Sequence, residues 1–400
     1  MTQFKAQCWE KWIYLKNKPV AFLLVETLRR LGPVVNVPGV GYFVNDPDVG
    51  YEVLRDGASF NSSGPGSIGY LITQVLGPSA LLNMDGPEHR RLKNTLRTVF
   101  APKFLDTLVE EALNPLLQKE LILPLGQGRT VDIVLFSKEL VMTMSARIAG
   151  LNVHDRAEVL QLSKIIGEVT SLAGLGKKEL TPMQVATAKR KITLLEKLIA
   201  TVYQDKNPPQ NLSLTRELKK SGLSFAEALP VIMIVLIAGS ELMNTAIARM
   251  VALLIDTNNL APGPREKPWV DGVIDEALRL ISPSTITLRS VSEDTVRFGR
   301  RFKKNRRVCV VNYSMLKTKK IFPNPTRFDP YRVIPTKYKH TWFGGGPHFC
   351  LGFSLAQKQL RLVLETLLSL NYSFRITSRQ VTFNRTFPGY EHLIIRAYDA

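Results

Sequence analysis

The sequence has few cysteines, a deficit of acidic residues and no long uninterrupted apolar run. Three cysteines in 400 residues cannot build a disulfide framework, which is typical of a reducing compartment. The most apolar stretch, 228–239, is well short of the roughly 20 residues that a membrane span needs. Residues 1–30 contain no small-residue cleavage site, so we expect neither a signal peptide nor a transmembrane anchor. These absences predict a soluble, cytoplasmic protein.

The charge balance is strongly basic. Lysine and arginine number 53 against 34 acidic residues, a net charge of +19, and such a field attracts anionic partners. The bases are spread along the chain except in the cluster Arg300–Arg307, which we interpret as a solvated turn. No aromatic-rich basic motif and no helix-turn-helix pattern occurs, so we expect no nucleic-acid partner.

The periodicity predicts a mainly α protein with a small β portion drawn from both ends. No repeat and no convincing linker interrupts the chain, and an apolar content of 45% is ample for a large core, so residues 1–400 form one predicted domain. Polar or proline-rich breaks are expected at 204–224 and 261–268. The main predicted elements are a hairpin and helix in 34–55, a mobile connection with a short helix in 56–83, mostly helical segments in 84–203, helices at 225–256, 270–281 and 351–368, and a hairpin in 371–399.

One cysteine lies in the most glycine-rich stretch of the chain. The segment FGGGPHFCLG places Phe343, Gly346 and His348 ahead of Cys350, and Gly352 after it. A metal or haem iron held by one thiolate needs a deprotonated sulfur with backbone N–H donors nearby. Glycine permits close approach of the backbone to a flat macrocycle. An isolated cysteine is usually only a small apolar side chain, but the spacing here favours a ligand.

This spacing, Phe343-x-x-Gly346-x-His348-x-Cys350-x-Gly352, resembles the haem-binding loop of the cytochrome P-450 superfamily. The resemblance extends over most of the chain, because further motifs follow in the family's order. It implies the triangular haem-thiolate cytochrome fold. It also implies a haem b cofactor (iron protoporphyrin IX), with the Cys350 thiolate as the axial ligand of its iron.

A second motif is similar to the E-x-x-R of the family's K helix. Glu276 and Arg279 stand three residues apart, on one face of a helix, where carboxylate and guanidinium can pair. Arg327, in Pro325-Thr-Arg-Phe328, resembles the arginine of the family's P-E-R-F segment. The resemblance implies a buried Arg–Glu–Arg cluster that braces the loop below the haem. The desolvation cost of such a cluster indicates a structural role.

Four cationic residues match the family's partners of the two haem propionates. They are His89, Lys93, Arg289 and His348. His89 and Lys93 are four residues apart and share a helix face. The family commonly has arginine at the position of Lys93. Lysine keeps the positive charge but cannot donate the two parallel hydrogen bonds of a guanidinium group.

The segment LIAGSELMNT resembles the family's I helix, whose pattern is A-G-x-D/E-T. Ala238, Gly239 and Glu241 match, whereas Leu242 stands where a threonine is expected. In the family, the small residues open a groove over the iron, and the acid and alcohol relay protons to dioxygen. Leu242 has no hydroxyl and can neither donate nor accept a hydrogen bond.

Four interpretations of Leu242 stay open. In the first, the substrate's own hydroxyl or an ordered water replaces the alcohol. In the second, Ser240 or Asn244 replaces it, although both point in a different direction from residue 242 because each step along a helix rotates the side chain by about 100°. In the third, the enzyme does not activate dioxygen and uses peroxide or rearranges an oxygenated substrate, and in the fourth, Leu242 only shapes the pocket.

The resemblance places four segments around the substrate, namely 67–75, 237–242, 285–288 and 386–390. They are mostly apolar and favour a medium or large, mainly apolar substrate. The expected pocket residues are Ile68, Tyr70, Leu71, Ile286, Leu288 and Phe387.

The resemblance implies an oxidoreductase, with a monooxygenase of secondary metabolism as the first hypothesis. Without a flavin or nicotinamide domain, electrons are expected from a separate acidic ferredoxin or flavodoxin, and an acidic carrier protein is a further possible partner. Candidate docking residues are Arg90, Arg91, Arg97, Lys358 and Arg361. The alternatives are a peroxygenase, isomerase or dehydratase, motivated by Leu242, and a non-catalytic haem-binding or sensing protein.

Overall fold

The computed structural model describes residues 2–151, 153, 155–172, 179–205, 213–263 and 265–399. Helices dominate the described chain. They are α1 (Thr2–Asn17), α2 (Pro19–Leu31), α3 (Pro47–Arg55), α4 (Ile68–Leu76), α5 (Gly86–Leu96), α6 (Pro102–Leu108), α7 (Asn114–Leu117), α8 (Leu123–Gly126), α9 (Ile133–Ala149), α10 (Arg156–Leu172), α11 (Pro182–Gln204), α12 (Leu214–Lys220), α13 (Phe225–Asp256), α14 (Lys267–Ile281), α15 (Asn312–Met315) and α16 (Phe353–Ser369). Short 3₁₀ turns occupy Leu81–Asn83, Arg97–Phe100, Thr341–Phe343 and Gly346–His348, and π turns occupy Val109–Leu113 and Gln118–Ile122.

The strands form three small sheets from distant parts of the chain. They are β1 (Val34–Val37), β2 (Gly41–Val44), β3 (Phe60–Asn61), β4 (Thr130–Asp132), β5 (Thr287–Val291), β6 (Thr295–Arg297), β7 (Arg300–Phe302), β8 (Arg307–Val310), β9 (Ser373–Val381) and β10 (Tyr390–Tyr398). The largest sheet has the order β1-β2-β8-β5-β3, and the others are β4-β10-β9 and β6-β7. The N-terminal hairpin joins the later strands through the parallel pair β2–β8. The structure therefore confirms a small β portion drawn from both ends.

Helix α13 runs through the core. Ser224 begins it with a capping box, in which its hydroxyl accepts from the Glu227 N–H and the Glu227 carboxylate accepts from the Ser224 N–H. The helix packs against α9, α10, α14 and α16. By length and composition it could cross a membrane, but 67% of its most apolar window is buried, as in the core helix of a soluble protein.

The longest local patterns are confirmed with small shifts at their ends. The 225–256 helix has the predicted bounds, the short helix begins at Lys267, and the last helix begins at Phe353. The mostly helical stretch 84–203 has short breaks at Ala101 and at 127–129, and Pro102 and Pro124 occupy first-turn helix positions where a missing N–H costs nothing. The predicted break at 204–224 was wrong for Leu214–Lys220, which form α12, whereas 206–212 lie outside the described residues, as does residue 264 of the predicted break at 261–268.

Candidate functional site

The cysteine loop offers the Cys350 sulfur a backbone donor, the Gly352 N–H. Two 3₁₀ turns shape the loop, and the Cys350 N–H donates to the carbonyl of Phe343 at 3.0 Å. Burial raises the pKa of the Cys350 thiol, while the Gly352 N–H and the positive charge of Lys93 act to lower it. Helix α16 follows at once with its N-terminus. These donors and this dipole suit a thiolate that binds a metal.

The glycines of the loop serve packing as well as the sulfur. Gly346 has a left-handed φ of 58°, and a Cβ there would lie 2.7 Å from the Cα of Arg55 at the end of α3. The close approach that requires glycine at this position is thus to α3. A Cβ at Gly352 would meet only ordinary contacts, 3.9 Å from the Cys350 sulfur, so that residue contributes through its N–H. The ring of Phe343 packs edge-on against Phe353 with centroids 5.1 Å apart.

The structure brings the four predicted cationic residues together beside this loop. The rings of His89 and His348 lie 4.4 Å apart between centroids. The Nζ of Lys93 donates to the carbonyls of Pro347 and Phe349, each at 2.6 Å. Burial lowers the pKa of His348, and the positive charge of Arg289, on β5, is close enough to lower it further. Residues from α5, β5 and the cysteine loop therefore meet at one place.

Two members of this cluster are buried in a way that suits an anion, one with a polar atom that lacks a hydrogen bond and the other with a positive charge. The Nδ1 of His89 is buried without a hydrogen-bond partner, and burial lowers the pKa of His89 to about 4. Arg289 is 3% exposed, and its one recorded hydrogen bond goes to the Leu288 carbonyl of its own strand. No acidic side chain in the described part of the chain forms an ion pair with it, and burial lowers its pKa to about 10. A buried cation of this kind requires a counter-charge, so the site fits the two propionates of haem b.

Asp85 is a member of this site that the sequence prediction missed. Its Oδ1 lies 2.8 Å from the Nε2 of His348, and its carboxylate accepts the N–H groups of Ser62 and Ser63 at 3.0–3.2 Å. Asp85 therefore orients His348 and ties the start of α5 to the loop before α4. Its position four residues ahead of His89 was the available signal. Lys93 also differs from expectation, because two of its three N–H groups are taken up by the cysteine loop.

The middle of α13 presents a gap in an otherwise packed helix. Ala238 is exposed although its helix runs through the core, and no atom lies within 4 Å of a Cβ built on Gly239. Leu242, one turn later, is half-buried. A flat macrocycle needs such a gap, so this stretch fits the groove that the family resemblance implies.

Glu241 points away from this gap toward α10. A Cβ on Gly167 of α10 would lie 3.1 Å from the Oε1 of Glu241. The positive charges of Lys138 and Arg385 act to lower the pKa of Glu241. Burial raises the pKa of Glu241, and the two cations oppose that shift only in part. Its carboxyl is thus poised to exchange a proton at higher pH than an exposed glutamate.

The structure separates the two proposed substitutes for the missing threonine. The hydroxyl of Ser240 donates to the Leu236 carbonyl of its own helix at 2.5 Å, and the residue is 1% exposed. Asn244 is 5% exposed, and both polar atoms of its side chain lack a partner that meets hydrogen-bond geometry. Ser240 is therefore occupied elsewhere, whereas the Asn244 amide lies next to the Glu241 carboxyl and acts to lower its pKa, against the larger effect of burial.

The predicted ion-pair cluster forms with one different member. Both oxygens of Glu276 accept from Arg279, at 2.6 and 2.8 Å, and both residues are about 1% exposed or less. The second arginine is Arg332, whose Nε donates to Glu276 Oε1 at 2.9 Å. The assignment of Arg327 was wrong. Its side chain is exposed, and only its backbone carbonyl takes part, by accepting from Arg332.

The expected pocket residues divide into two groups. Ile68, Tyr70, Ile286 and Phe387 are half-buried. Leu71 is fully buried, and Leu288 packs among core residues opposite Cys309, so neither offers surface to a substrate and these two predictions were wrong. The hydroxyl of Tyr70 lies 3.3 Å from the exposed Glu179 carboxylate, which places it toward the outer rim.

Comparison with known proteins agrees with the geometry. The family model described as "Cytochrome P450" matches residues 266–389, which include the Glu276 cluster and the cysteine loop. The biotin biosynthesis cytochrome P450 of Bacillus subtilis is 27% identical over 372 residues, 89% of each chain. Cytochrome P450-SU2 of Streptomyces griseolus is 27% identical over 334 residues, covering 81% of this chain and 76% of its own.

Solved structures share the fold. P450BioI, solved with an acyl carrier protein ligated to hexadec-9Z-enoic acid, has a TM-score of 0.81 at 22% identity, with 96% of this chain and 99% of that chain covered. A mutant of P450 EryK in complex with erythromycin B has a TM-score of 0.78 at 22% identity, with 96% and 97% covered. Motifs, fold and relatives together show that this chain belongs to the cytochrome P450 family, a haem-thiolate oxidoreductase family whose members hold haem b through a cysteine.

Proposed function

We propose that this protein is a monooxygenase that oxidises a mainly apolar small organic molecule, free or tethered to a carrier protein, with electrons from a separate acidic protein. The observation that carries the substrate class is the surface of α13 at its gap. Ala238 is exposed there, and Ile237 and Leu242 are half-buried. The one ionisable group of this stretch, Glu241, is directed at α10, so an apolar molecule would displace little bound water at the gap.

The molecules bound in structural neighbours agree with this class. P450BioI was solved with an acyl chain on an acyl carrier protein, and other neighbours were solved with erythromycin B and with testosterone. The basic charge of +19 suits an acidic carrier as well as an acidic electron donor.

Helix α5 is the proposed docking element for the electron donor. Arg90 is exposed on the same helix as Lys93, whose Nζ donates to two carbonyls of the cysteine loop, and Arg97 is exposed in the 3₁₀ turn that follows this helix. Lys358 and Arg361 are less suitable than the sequence suggested, because they already pair with Asp106 and Asp271. An acidic protein on α5 would thus be held close to Cys350.

The residues of the chain have separate tasks in this proposal. When bound, haem b supplies the redox chemistry for transfer of one oxygen atom. Cys350 would bind its iron through the thiolate, and His89, Arg289 and His348 would hold its propionates. Glu241 would hold a proton at its carboxyl, since burial raises its pKa. Asn244, three residues on, interacts with that carboxyl through its side-chain amide and would orient the proton.

The deciding experiment is product analysis with two sources of oxidising equivalents. Haem-loaded protein receives medium-chain fatty acids, the same acids on acyl carrier protein, and a steroid. Each is tested with dioxygen plus a surrogate ferredoxin and reductase, and separately with hydrogen peroxide. Hydroxylated product from the reductase system supports the proposal. Product from none of these apolar substrates with reductase would refute it.

Leu242 favours a second candidate, a haem-thiolate enzyme that does not follow the usual dioxygen activation. The side chain at this position has no hydroxyl, and the neighbouring Ser240 hydroxyl is bound to the Leu236 carbonyl. A peroxygenase would yield product from peroxide alone. An isomerase or dehydratase would convert an oxygenated substrate without either oxidant.

A further inference from the structure

The turn between β9 and β10 packs against α13 close to its gap. Thr382 and Gly389 close the base of this turn, since the Thr382 N–H donates to the Gly389 carbonyl at 3.0 Å and the Gly389 N–H donates to the Thr382 hydroxyl at 3.2 Å. A Cβ on Gly389 would lie 3.3 Å from the Oγ1 of Thr245, which follows Leu242 by three residues on α13. Residues 382–389, which we name the β9–β10 turn, therefore lie on the helix that carries the gap.

The end of α1 holds the first half of the β9–β10 turn. Asn17 is 1% exposed, and both polar atoms of its side chain bond to this turn. Its Nδ2 donates to the Arg385 carbonyl at 2.9 Å, and its Oδ1 accepts from the Arg385 N–H at 2.9 Å and from the Thr382 hydroxyl at 3.1 Å. The Asn17 carbonyl also accepts from the Asn384 N–H at 2.8 Å. One buried asparagine thus satisfies backbone groups that an irregular turn would otherwise leave unpaired.

Arg249 of α13 holds the second half of the β9–β10 turn. Its side chain is fully buried and donates to the Pro388 carbonyl at 3.1 Å. Two residues of α1 place its guanidinium, because the Glu10 carboxylate accepts from it and the centroid of the Tyr14 ring lies 4.8 Å from its Cζ. Helix α1 therefore fixes the turn twice, directly through Asn17 and indirectly through Arg249.

The segment between these two anchors carries Thr386 and Phe387. Both residues are half-buried, and the Thr386 hydroxyl donates to the Thr170 carbonyl near the end of α10 at 3.2 Å. Phe387 is the predicted pocket residue of this turn. The position of its ring thus depends on hydrogen bonds made on either side of it by residues of α1 and α13.

We propose that Asn17 is a positioning residue for the substrate. It holds the β9–β10 turn, and the turn holds Phe387 at the edge of the pocket. The assignment rests on the proposed function, because that function places the apolar part of a substrate beside this turn. An apolar chain that reaches the turn should lose affinity when Asn17 is replaced, whereas a small ligand that does not reach it should keep its affinity.

The test compares the binding of two imidazoles to the haem-loaded protein, followed by the shift of the Soret band. Imidazole itself is too small to reach the turn, whereas N-dodecylimidazole carries a long apolar chain. Asn17→Ala should raise the Kd of N-dodecylimidazole about tenfold and leave that of imidazole unchanged, because binding must then order a loosened turn. Lys5→Met is the matched control. It removes a different contact of α1, the ion pair with Asp256, and should bind both imidazoles like wild type.

Thr382 supplies a second and milder pair of variants. Thr382→Val keeps the branched shape but loses the hydroxyl that links Asn17 to Gly389, so it should change the two Kd values in the same direction as Asn17→Ala. Thr382→Ser keeps the hydroxyl and should match wild type. A ratio of the two Kd values in Asn17→Ala equal to that of wild type would overturn the proposal. Equal weakening of both imidazoles would also overturn it, because that result would indicate general damage to the fold.

These binding measurements do not depend on turnover. The absence of product from the oxidation assays would refute the monooxygenase proposal and would leave the ratio of the two Kd values as measured. An unchanged ratio in an enzyme that forms product would refute only the positioning role of Asn17.

Discussion

Arg332 donates from its Nε to Oε1 of Glu276 over 2.9 Å, while Glu276 also accepts two hydrogen bonds from Arg279. The three groups are almost completely buried. Arg332 further donates to the carbonyls of Pro323, Asn324 and Arg327, so it fastens the proline-rich segment ahead of the cysteine loop to α14. The cluster therefore supports the site from below, through structure and without chemistry of its own.

The first prediction follows from this cluster. Arg332→Ala should lower the free energy of unfolding by about 3 kcal/mol, the lower end for loss of one partner of a buried ion pair, because Arg279 remains. Urea denaturation measures the change. Arg327→Ala is the matched control, because its side chain is exposed, and it should behave like wild type. Equal destabilisation by the two variants would contradict the assignment.

Replacing Arg289 should stabilise the haem-free protein but weaken haem binding in the haem-loaded protein. Its buried charge lacks an acidic ion-pair partner in the described part of the chain, so Arg289→Met should stabilise the haem-free form. The same change should speed haem loss about tenfold or more, because a propionate would lose its buried cation. Urea titration and haem transfer to an apoglobin measure the two effects. Arg297→Met, at an exposed position of β6, is the control for loss of an arginine. Slower haem loss in Arg289→Met than in wild type would contradict a role for Arg289 in binding a propionate.

The pKa of Glu241 predicts a pH-dependent stability. Burial raises this pKa, so the folded protein binds the proton more tightly than the unfolded chain. The contribution to stability is fully present below the unfolded pKa near 4.5 and is lost as pH rises through the higher folded value. Glu241→Gln should therefore gain stability relative to wild type at pH 8, with a smaller difference at pH 4.5. Urea denaturation midpoints at the two pH values test this prediction. If the midpoints of Glu241→Gln and wild type differ by the same amount at both pH values, the buried charge of Glu241 does not cause the difference.

Leu242 is the position at which the proposed chemistry departs most from the family pattern. If dioxygen is used, Leu242→Thr should raise the fraction of electrons that appear in product, because a hydroxyl is restored for proton transfer. The ratio of product formed to NADPH consumed measures it. Leu242→Val keeps the branched shape of threonine without its hydroxyl and serves as the control. An equal ratio in both variants would show that Leu242 acts by shape alone.

Local patterns predicted the parts of this protein that local physics decides. Helix α13 has the predicted bounds because Ser224 and Glu227 form a capping box at its start. The residues around Cys350 were identifiable because their roles depend on spacing within one loop. The cationic residues His89, Arg289 and His348 were found through the family resemblance, and the structure places them together.

Tertiary contacts decided what the sequence could not. Membership of the Glu276 cluster depends on the path of an irregular segment, and that path brings Arg332 inward and leaves Arg327 outside. Leu288 was expected at the pocket, but strand alternation does not tell which face of β5 meets the core. Val20, Leu23 and Leu31 of α2 are exposed, which the sequence did not indicate because apolar residues on a helix are normally buried.

The most direct test of the central claim is the absorption spectrum of the reduced, carbon monoxide-bound protein. The claim is that the Cys350 thiolate is the axial ligand of haem iron. We predict a thiolate-type Soret band for wild type and for Cys309→Ser, and loss of that band in Cys350→Ser with haem still bound. Retention of the thiolate band in Cys350→Ser would contradict the account.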